Sequence, residues 1–565
     1  MADRKGNQVN FMKKDIKKVL FFYAVLFSVL YVPLILWLRN KSVFVPFQFF
    51  TSDTFYYLSI ARHSVNSLFY TSDGMYPTNG FHPLWGFLLT KLFSIPFFSS
   101  HLDMQIYLTI ILSLVFVTFG TIFFGMSIYH LTDNAAVSLL AAVPGYYYLI
   151  FASLVPNYNS TWAYINGMES PLSIFWFGLF LYLLVNKKLL LDQRLYMTVI
   201  LSIVVTLIVF SRLDDVFLLI PFWILLFFFS EPRKKAVARL LIAIGIPVLS
   251  LIAYMVYNYS YTESAMPVSG LIKNGNWLLV NLAFFITTFF PIQLVNHDAI
   301  WSETSMRSLQ TAIPILTAAL WLLFWRKNTK LQDWQSIPQD NYTIISALAV
   351  YMIIKGGYNF VLVYLMGQGH WYYSISIMLF NLMVGIVIVV PLRNISSQSQ
   401  RIWISIAAFL LVILMGNVFI NNKIQSKYNV GYYELWLQSE KVNSLLKETA
   451  PDIKLVEYDD GIIAYLLNLP VMNGFGFTLD KEAMQAQTEG HLLNLAYERG
   501  FRTIAVMSYV NFPDDFENDS DQIREQLRKM PGIGFEDLDQ WDFGFLYRDD
   551  KSSMVLINYE PRIGQ

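Results

Sequence analysis

Residues 104–129 read MQIYLTIILSLVFVTFGTIFFGMSIY and contain no charged side chain. A transmembrane helix needs about 20 consecutive apolar residues, and this run exceeds that length. Ten further runs of similar character predict additional membrane crossings. They lie near 17–38, 134–155, 170–186, 195–211, 215–230, 236–257, 309–325, 342–365, 373–392 and 402–421. The sequence therefore predicts an α-helical polytopic membrane protein with about eleven transmembrane helices.

The composition of the whole chain agrees with a membrane protein. Of its 565 residues, 55% are hydrophobic and 17% aromatic, and the mean hydropathy is +0.45. Soluble domains rarely reach such values. The chain has no cysteine, so disulfides and thiolate metal sites are excluded. It also has no P-loop or dinucleotide-binding fingerprint, and we expect no nucleic-acid partner.

The net charge of zero conceals a division of the chain into two parts. Residues 1–421 contain 16 acidic and 26 basic side chains, and residues 422–565 contain 24 acidic and 14 basic ones. The first part therefore carries about +10 and the second about −10, which indicates two different environments. We predict a membrane domain over 1–421 and a separate C-terminal domain over 422–565.

The distribution of lysine and arginine predicts the orientation. The basic amino terminus precedes an apolar run without a cleavage site, which is typical of a retained anchor on the cytoplasmic side. Two further apolar segments, Leu84–Phe97 and Trp277–Val295, are ambiguous as membrane crossings. If neither crosses, the basic clusters at 187–194, 233–239 and 326–330 are also cytoplasmic. The protein is then a multi-pass protein of the plasma (inner) membrane with an extracytoplasmic C-terminal domain. Leu84–Phe97 is short, contains Lys91 and ends at Pro96, which suits a re-entrant or surface-lying helix.

The C-terminal part alternates helical and strand-like patterns, which predicts a small α/β domain. Helical content is expected over Tyr433–Lys447, Met484–Tyr497 and Ile523–Met530. Strands are expected over Lys454–Glu457, Thr503–Met507 and Met554–Tyr559.

The segment Ser52–Trp85 reads SDTFYYLSIARHSVNSLFYTSDGMYPTNGFHPLW and follows the first apolar run. It is unusually rich in aromatic, charged and hydrogen-bonding side chains for a connection between helices. Its first carboxylate, Asp53, is placed either to cap a helix or to remove a proton from an acceptor hydroxyl. The neighbouring Tyr56 and Tyr57 suit either a binding surface or an interfacial aromatic belt.

This segment resembles the first external loop of bacterial polytopic glycosyltransferases of superfamily C, which typically read DDAFYYL–IARN and then DG–PTNGFHPLW. Three later blocks are also similar: Gly167–Glu169, the SRLD of Ser211–Asp214, and the MPVSGLIK of Met266–Lys273. The resemblance covers scattered parts of the first 280 residues or so. It implies an external catalytic pocket and a polyprenyl-phosphate-linked sugar donor. The acceptor would be a hydroxyl of a glycan, lipid or protein.

One position departs from the pattern of that family. The usual acidic pair is Ser52-Asp53 in this chain, so Asp53 alone is expected to act as the catalytic base. The donor phosphate should meet cations at the outer headgroup level, and Arg212, Lys273 and Arg62 are the expected contacts. For Arg212 an ion pair with Asp214 or Asp215 is an equal alternative.

Several further side chains are candidates for substrate binding. Asn79 and His82 either orient the loop or contact sugar, and Glu169 either caps a helix or accepts a sugar hydroxyl. Lys355 lies inside a predicted crossing, where it either has a paired or functional role or extends to the interface. The complete expected set is Tyr56, Tyr57, Asn79, His82, Glu169, Asp214, Ser269, His370, Trp371 and Tyr372.

The cofactor stays open from the sequence. No histidine pair has the HExxH spacing of a zinc site, so no metal ligand is assigned. A divalent ion held by Asp53 and Glu169 is one option, since some members of the similar family use such an ion. Two other classes of function also stay open: a membrane transporter or lipid flippase, and a non-catalytic relative that binds glycan. The absence of a duplicated half favours an enzyme over a transporter.

Overall fold

The structure is a computed structural model of the chain. It describes residues 50, 53–132, 138, 166–230, 233–273, 275–289, 312–323, 339–363, 370–393, 430–458, 461–467, 469–507, 512, 517–530, 533, 536–548 and 554–562. The chain forms two compact units. The described residues of 110–250 and 275–425 belong to the first unit, and those of 46–109, 251–274 and 426–565 belong to the second.

The described part of the chain is mostly helical. In chain order the helices are Thr54–His63, Pro83–Phe93, Pro96–Ser99, Leu102–Thr132, Ser170–Val185, Leu195–Ser211, Leu219–Phe228, Arg233–Thr262, Val268–Lys273, Leu278–Phe289, Ala312–Leu323, Gln339–Leu362, Ser374–Arg393, Val430–Thr449, Ile462–Leu466, Lys481–Glu489, Leu492–Glu498 and Ser520–Arg528. Short 3₁₀ helices lie at Leu213–Leu218, His370–Tyr373 and Leu538–Gln540.

Among the described residues, three helices are long and apolar enough to cross a membrane. They are Leu102–Leu131, Lys235–Thr262 and Asp340–Leu362. Five shorter apolar helices lie at Pro83–Phe93, Ser170–Val185, Leu195–Ser211, Ala312–Leu323 and Ser374–Ile386. The apolar runs predicted near 17–38 and 402–421, and all but one residue of 134–155, lie outside the described residues. The number of eleven crossings and the orientation therefore stay predictions.

The segment Leu84–Phe97, expected to be a re-entrant or surface-lying helix, forms two helices, Pro83–Phe93 and Pro96–Ser99. The first is about 17 Å long, which is well short of the ~30 Å hydrocarbon core of a bilayer. Its buried residues include Trp85 and Leu89, whereas Phe87 on another face is exposed.

Two helices approach each other closely at a pair of glycines of the first unit, Gly120 and Gly178. A Cβ atom at Gly120 would lie 2.7 Å from the carbonyl carbon of Ile174. A Cβ atom at Gly178 would overlap the carbonyl oxygen of Gly120. Small residues at such crossings let helix backbones pack closely in membrane proteins. The contact between helices Leu102–Thr132 and Ser170–Val185 therefore requires glycine at both positions.

We predict that Gly178→Ala destabilises the protein. Alanine in place of a helical glycine ordinarily stabilises by about 1 kcal/mol, but overlap with Gly120 should reverse the sign and cost about 1–3 kcal/mol. Gly245→Ala is the matched control, since nothing lies within 4 Å of its Cβ position. Thermal unfolding in detergent, followed by circular dichroism, should show a lower midpoint for Gly178→Ala only. A Gly178→Ala variant as stable as the wild type would contradict the close crossing.

The C-terminal part of the second unit contains a five-stranded sheet with the order β2-β1-β3-β5-β4. The strands β1, β2 and β3 are parallel, and β5 is antiparallel to both β3 and β4. The strands are β1 Leu455–Glu457, β2 Val471–Asn473, β3 Thr503–Met507, β4 Trp541–Tyr547 and β5 Met554–Pro561. The predicted strands at 454–457, 503–507 and 554–559 are confirmed. The strands β2 and β4 were not predicted. The boundary predicted at 421/422 lies outside the described residues.

The helical content predicted over Met484–Tyr497 is confirmed. The stretch Met484–Tyr497 is divided into Lys481–Glu489 and Leu492–Glu498. Gly490 ends the first of these with a φ of 75°, a left-handed conformation that favours glycine. The side chain of Asp480 caps the start of the same helix by accepting a hydrogen bond from the Ala483 amide at 3.0 Å. These two signals fix a short helix within the longer apolar pattern.

Candidate functional site

The residues expected to bind or act on substrate fall into both units. The second unit contains Asp53, Tyr56, Tyr57, Arg62, Asn79, His82, Ser269 and Lys273. The first unit contains Glu169, Arg212, Asp214 and Tyr372. His370 and Trp371 also belong to the first unit, but their side chains lie outside the described residues.

Asp53 lies at the start of the helix Thr54–His63, which we call the Asp53 helix. The first eight residues of this helix are all buried, so packing holds the helix in place. Asp53 itself is partly exposed. Its backbone is helical, and its side chain makes no capping hydrogen bond to the helix. The capping role that the sequence left open is therefore not formed.

The two tyrosines of the Asp53 helix make different contacts. The Tyr56 ring lies 5.9 Å from the Phe477 ring, measured between centroids, in an edge-to-face arrangement. The Tyr57 hydroxyl accepts a hydrogen bond from the backbone amide of His82 at 3.3 Å. His82 precedes the helix Pro83–Phe93, so Tyr57 links the starts of two helices. Neither tyrosine is more than 7% exposed.

Asn79 connects the first loop to the segment that leads to Lys273. Its amide nitrogen donates to the Thr262 hydroxyl at 3.0 Å and to the Ser264 and Met266 carbonyl oxygens at 3.0 and 3.1 Å. Its carbonyl oxygen accepts from the Val268 amide at 2.9 Å. Of the two roles left open for Asn79, the structure gives the orienting one. Asn79 fixes the start of the helix that carries Ser269 and Lys273.

Lys273 is the last residue of the helix Val268–Lys273. Its ammonium nitrogen lies 4.8 Å from the centroid of the Phe477 ring, which is a cation–π distance. Tyr56 contacts the same ring. A lysine and the Asp53 helix therefore border one aromatic side chain, and that side chain was missed by the sequence reasoning. The repeated glycine and phenylalanine of GFGF at 474–477 is the signal that could have drawn attention to it.

Phe477 belongs to the segment 474–479 between β2 and the helix Lys481–Glu489, which we call the glycine loop. A Cβ atom at Gly80 would overlap the Phe477 carbonyl oxygen. Two hydroxyl groups of the first loop also bond to this segment: Ser72 donates to the Thr478 carbonyl at 3.1 Å, and Thr78 to that of Leu479 at 3.3 Å. The first loop and the glycine loop are thus joined through backbone groups.

We predict that Gly80→Ala disrupts the second unit, because its added methyl would push against a carbonyl group rather than a movable side chain. Gly270→Ala is the control, since nothing lies within 4 Å of its Cβ position. Gly80→Ala should lower the thermal unfolding midpoint and increase protease cleavage between 52 and 85, at a cost of about 1–3 kcal/mol. Equal midpoints and cleavage rates for the two variants would show that the contact is not tight.

Arg62 also contacts the C-terminal part of the chain. Its guanidinium donates to the Tyr465 carbonyl oxygen and lies 6.0 Å from the Tyr465 ring centroid. Burial lowers the pKa of Arg62. Burial and the charge of Arg62 also lower the pKa of the neighbouring His63 to about 4, so His63 is uncharged at neutral pH. The structure therefore gives Arg62 a protein partner, and its expected phosphate contact stays a prediction.

Asp73 shapes the turn that precedes PTNG. One of its carboxylate oxygens accepts hydrogen bonds from the Thr71 hydroxyl at 2.9 Å and from the Met75 and Tyr76 amides, each at 2.8 Å. Burial raises the pKa of Asp73, while these three hydrogen bonds oppose the rise. Gly74 within the turn has a φ of 78°. The contacts of this carboxylate are those of a turn-forming residue.

In the first unit, Arg212 is surrounded by carboxylates. It is 1% exposed and donates to Glu169. Its Nε and Nη2 atoms donate to the two oxygens of Asp214, each at 3.1 Å. The Tyr372 ring lies 4.7 Å from the guanidinium carbon. The alternative of an ion pair with Asp214 is therefore formed, and the phosphate contact expected of Arg212 stays a prediction.

Lys355 extends this cluster of buried charges. It donates to Asp215 and lies 3.2 Å from the Asp214 carboxylate. Asp215 also accepts from the Tyr351 hydroxyl at 2.5 Å and from the Ser173 hydroxyl at 3.1 Å. Lys355 is 1% exposed, so it is paired inside the unit and does not extend to the interface. Asp215, Tyr351 and Ser173 were not among the expected site residues, although a lysine in an apolar helix implies a buried partner.

We predict that Lys355→Met is strongly destabilising, because it leaves Asp215 buried without its cation. Removing one partner of a buried pair typically costs about 3–5 kcal/mol. The double variant Lys355→Met/Asp215→Asn should recover part of this loss, and Lys91→Met at an exposed lysine should cost little. The measurement is thermal unfolding of each purified variant in detergent. A double variant that is less stable than Lys355→Met would exclude a compensated charge pair.

No metal site is evident in the described ranges, since no group of three or more His, Asp or Glu side chains there has the arrangement to hold an ion. Asp53 belongs to the second unit and Glu169 to the first. Comparison with models of protein families and with curated proteins finds no match. The function is therefore inferred from the side chains of this chain and from the sequence resemblance of its first loop.

Proposed function

We propose that this protein is a membrane glycosyltransferase. It moves a sugar from a polyprenyl-phosphate donor to a hydroxyl acceptor at the outer face of the membrane. The observation that carries the proposal is the shared contact with Phe477: Lys273 and the Asp53 helix border the same ring. A proton acceptor and a phosphate-binding cation on adjoining elements are the two groups that such a transfer needs.

In this proposal Asp53 acts as the general base. The acceptor oxygen attacks the anomeric carbon, and its proton passes to the Asp53 carboxylate. The bond from the anomeric carbon to the phosphate oxygen breaks, and the polyprenyl phosphate leaves with the electron pair. Attack opposite the leaving group inverts the anomeric centre. General-base assistance is typically worth about 10²–10⁴-fold in rate.

Lys273 stabilises the negative charge of the departing phosphate. Charge placed in advance beside a leaving group is often the largest single contribution to catalysis. Arg212 is a second candidate for this role, but Asp214 and Glu169 already engage its guanidinium. We assign the phosphate contact first to Lys273, because it contacts the same Phe477 ring as the Asp53 helix.

A lipid-linked donor agrees with the membrane setting of the chain. Nucleotide sugars are made inside the cell, so a transferase that acts outside needs a donor carried by lipid. Three described helices are long and apolar enough to lie in the bilayer where such a lipid is dissolved. The partners are then membrane lipid, the polyprenyl-linked donor and a glycan, lipid or protein acceptor.

A transporter or lipid flippase is the second candidate, and the buried charge cluster of the first unit favours it. Charged residues within membrane helices commonly mark transport pathways, and Lys355 lies in such a helix. A transporter would move the labelled polyprenyl-phosphate sugar across reconstituted vesicles without cleaving it. An enzyme would release or transfer the labelled sugar, and a non-catalytic glycan-binding protein would do neither.

We predict that Asp53→Asn abolishes sugar transfer, with a rate loss of at least about 10²-fold, while the protein stays folded and still binds donor. The matched control is Asp103→Asn, a carboxylate of the same unit that lies in the first turn of the helix Leu102–Thr132. Transfer of radiolabelled sugar by the purified protein is the measurement, with unfolding midpoints recorded in parallel. Full turnover by Asp53→Asn would remove Asp53 from the role of base.

A further inference from the structure

We propose that Phe477 is a positioning residue for Lys273, and that the C-terminal sheet thereby forms part of the donor-phosphate site. This inference rests on the proposed function. It assigns a role to the C-terminal part of the chain, which the sequence left without one. Three observations support the inference. The glycine loop lies at one particular edge of the sheet, its backbone is held in place, and the Phe477 ring contacts both Tyr56 and Lys273.

The glycine loop lies at the edge of the sheet where the parallel strands have their carboxyl ends. The strand β1 is the middle one of the three parallel strands, with β2 on one side and β3 on the other, and the chain leaves β1 toward β2 before crossing to β3. Open α/β sheets bind ligands outside the carboxyl ends of their strands at such a reversal. Here Gly461, which follows β1 with a φ of 87°, packs on the Asp53 helix: its Cβ position lies 2.6 Å from Tyr56 Cδ1. The sheet therefore holds a helix of its own chain at this edge.

The glycine loop emerges from the same edge and has little freedom to move. Gly80 packs directly on the Phe477 carbonyl, as described above. Gly476 has a φ of 88°, and a Cβ atom there would lie 2.9 Å from Ile272 Cδ1 and 3.2 Å from Gln487 Oε1. Hydrogen bonds from Ser72 and Thr78 fix the two residues after Phe477. The backbone is thus fixed by contacts both before and after Phe477 in the sequence.

The ring of Phe477 contacts both Tyr56 of the Asp53 helix and the cation of the proposed site. Tyr56 meets it with an interplanar angle of 66°, and the Lys273 ammonium lies over it at 4.8 Å. A lysine side chain has a flexible four-carbon stem, so its charge is poorly located unless something restricts it. The negative face of an aromatic ring attracts the ammonium and restricts it without adding a formal negative charge. Phe477 therefore holds the Lys273 charge beside the Asp53 helix, where the donor phosphate would meet it.

The test uses the full-length protein in lipid nanodiscs and a polyprenyl monophosphate without sugar as the probe. Phe477→Leu keeps an apolar side chain but removes the ring, and should weaken binding of the probe about two- to fivefold, which corresponds to the usual strength of an exposed cation–π contact. Binding of the uncharged polyprenol should not change. Phe475→Leu is the matched control, because this ring of the same loop packs on Tyr458, with centroids 6.2 Å apart. It should bind the probe like the wild type, and so should Phe477→Tyr, which keeps the ring.

A double-mutant cycle separates positioning from a general structural role. If Phe477 acts through Lys273, Phe477→Leu should cause no further loss of probe binding in a Lys273→Gln background. Two losses that multiply, or unchanged binding by Phe477→Leu, would overturn the inference and leave the proposed function standing. A wild-type protein that binds polyprenyl phosphate no better than polyprenol would overturn the proposed function as well.

Discussion

At Gly80 the first loop comes so close to the Phe477 carbonyl that no side chain fits between them, and the arrangement of the second unit depends on this approach. The chain segments that meet here are separated by about 400 positions in sequence. Hydrogen bonds from Ser72 and Thr78 to neighbouring carbonyls follow from the same approach. Because these contacts are made to backbone groups, they fix position more firmly than contacts between flexible side chains would. The orientation of Tyr56 and of Lys273 toward one ring is a consequence.

The first unit depends on a different constraint, the pairing of charges away from water. Arg212 and Lys355 face the carboxylates Glu169, Asp214 and Asp215, and only Asp214 is exposed to an appreciable extent, at 14%. Burying an ion without a partner costs several kcal/mol, so these side chains must be arranged as a group. Such a cluster gives weak support for stability but strong support for one specific arrangement of the helices that carry it. A substitution that removes one charge of the cluster therefore changes the charge pairing of the other members.

The amino-acid sequence predicts the described apolar helices well and the site only in part. Apolar length is a local property, so the runs at 170–186 and 195–211 correspond closely to the helices Ser170–Val185 and Leu195–Ser211. The three residues of β2 carry no such local signal, since the strand is defined by its pairing with β1. The sequence also does not distinguish the roles of two adjacent carboxylates. Asp215 is fully buried and bonded to three side chains, although Asp214 was the expected site residue. The GFGF pattern at 474–477 marks Phe477 only weakly, because its importance arises from contacts with residues hundreds of positions away.

The contacts described for the two candidate phosphate-binding residues differ: Arg212 is paired with carboxylates, and Lys273 lies over an aromatic ring. A phosphate that approached Arg212 would meet the negative charges of Glu169 and Asp214 at the same guanidinium. Repulsion in a buried site is weakly screened, so one of these carboxylates would have to move or be neutralised. The contact of Lys273 with Phe477 holds the ammonium through the ring quadrupole, which contributes no formal charge. An approaching anion is therefore attracted by Lys273 without opposition from this contact, and the helix that begins after Asp53 adjoins the same ring through Tyr56.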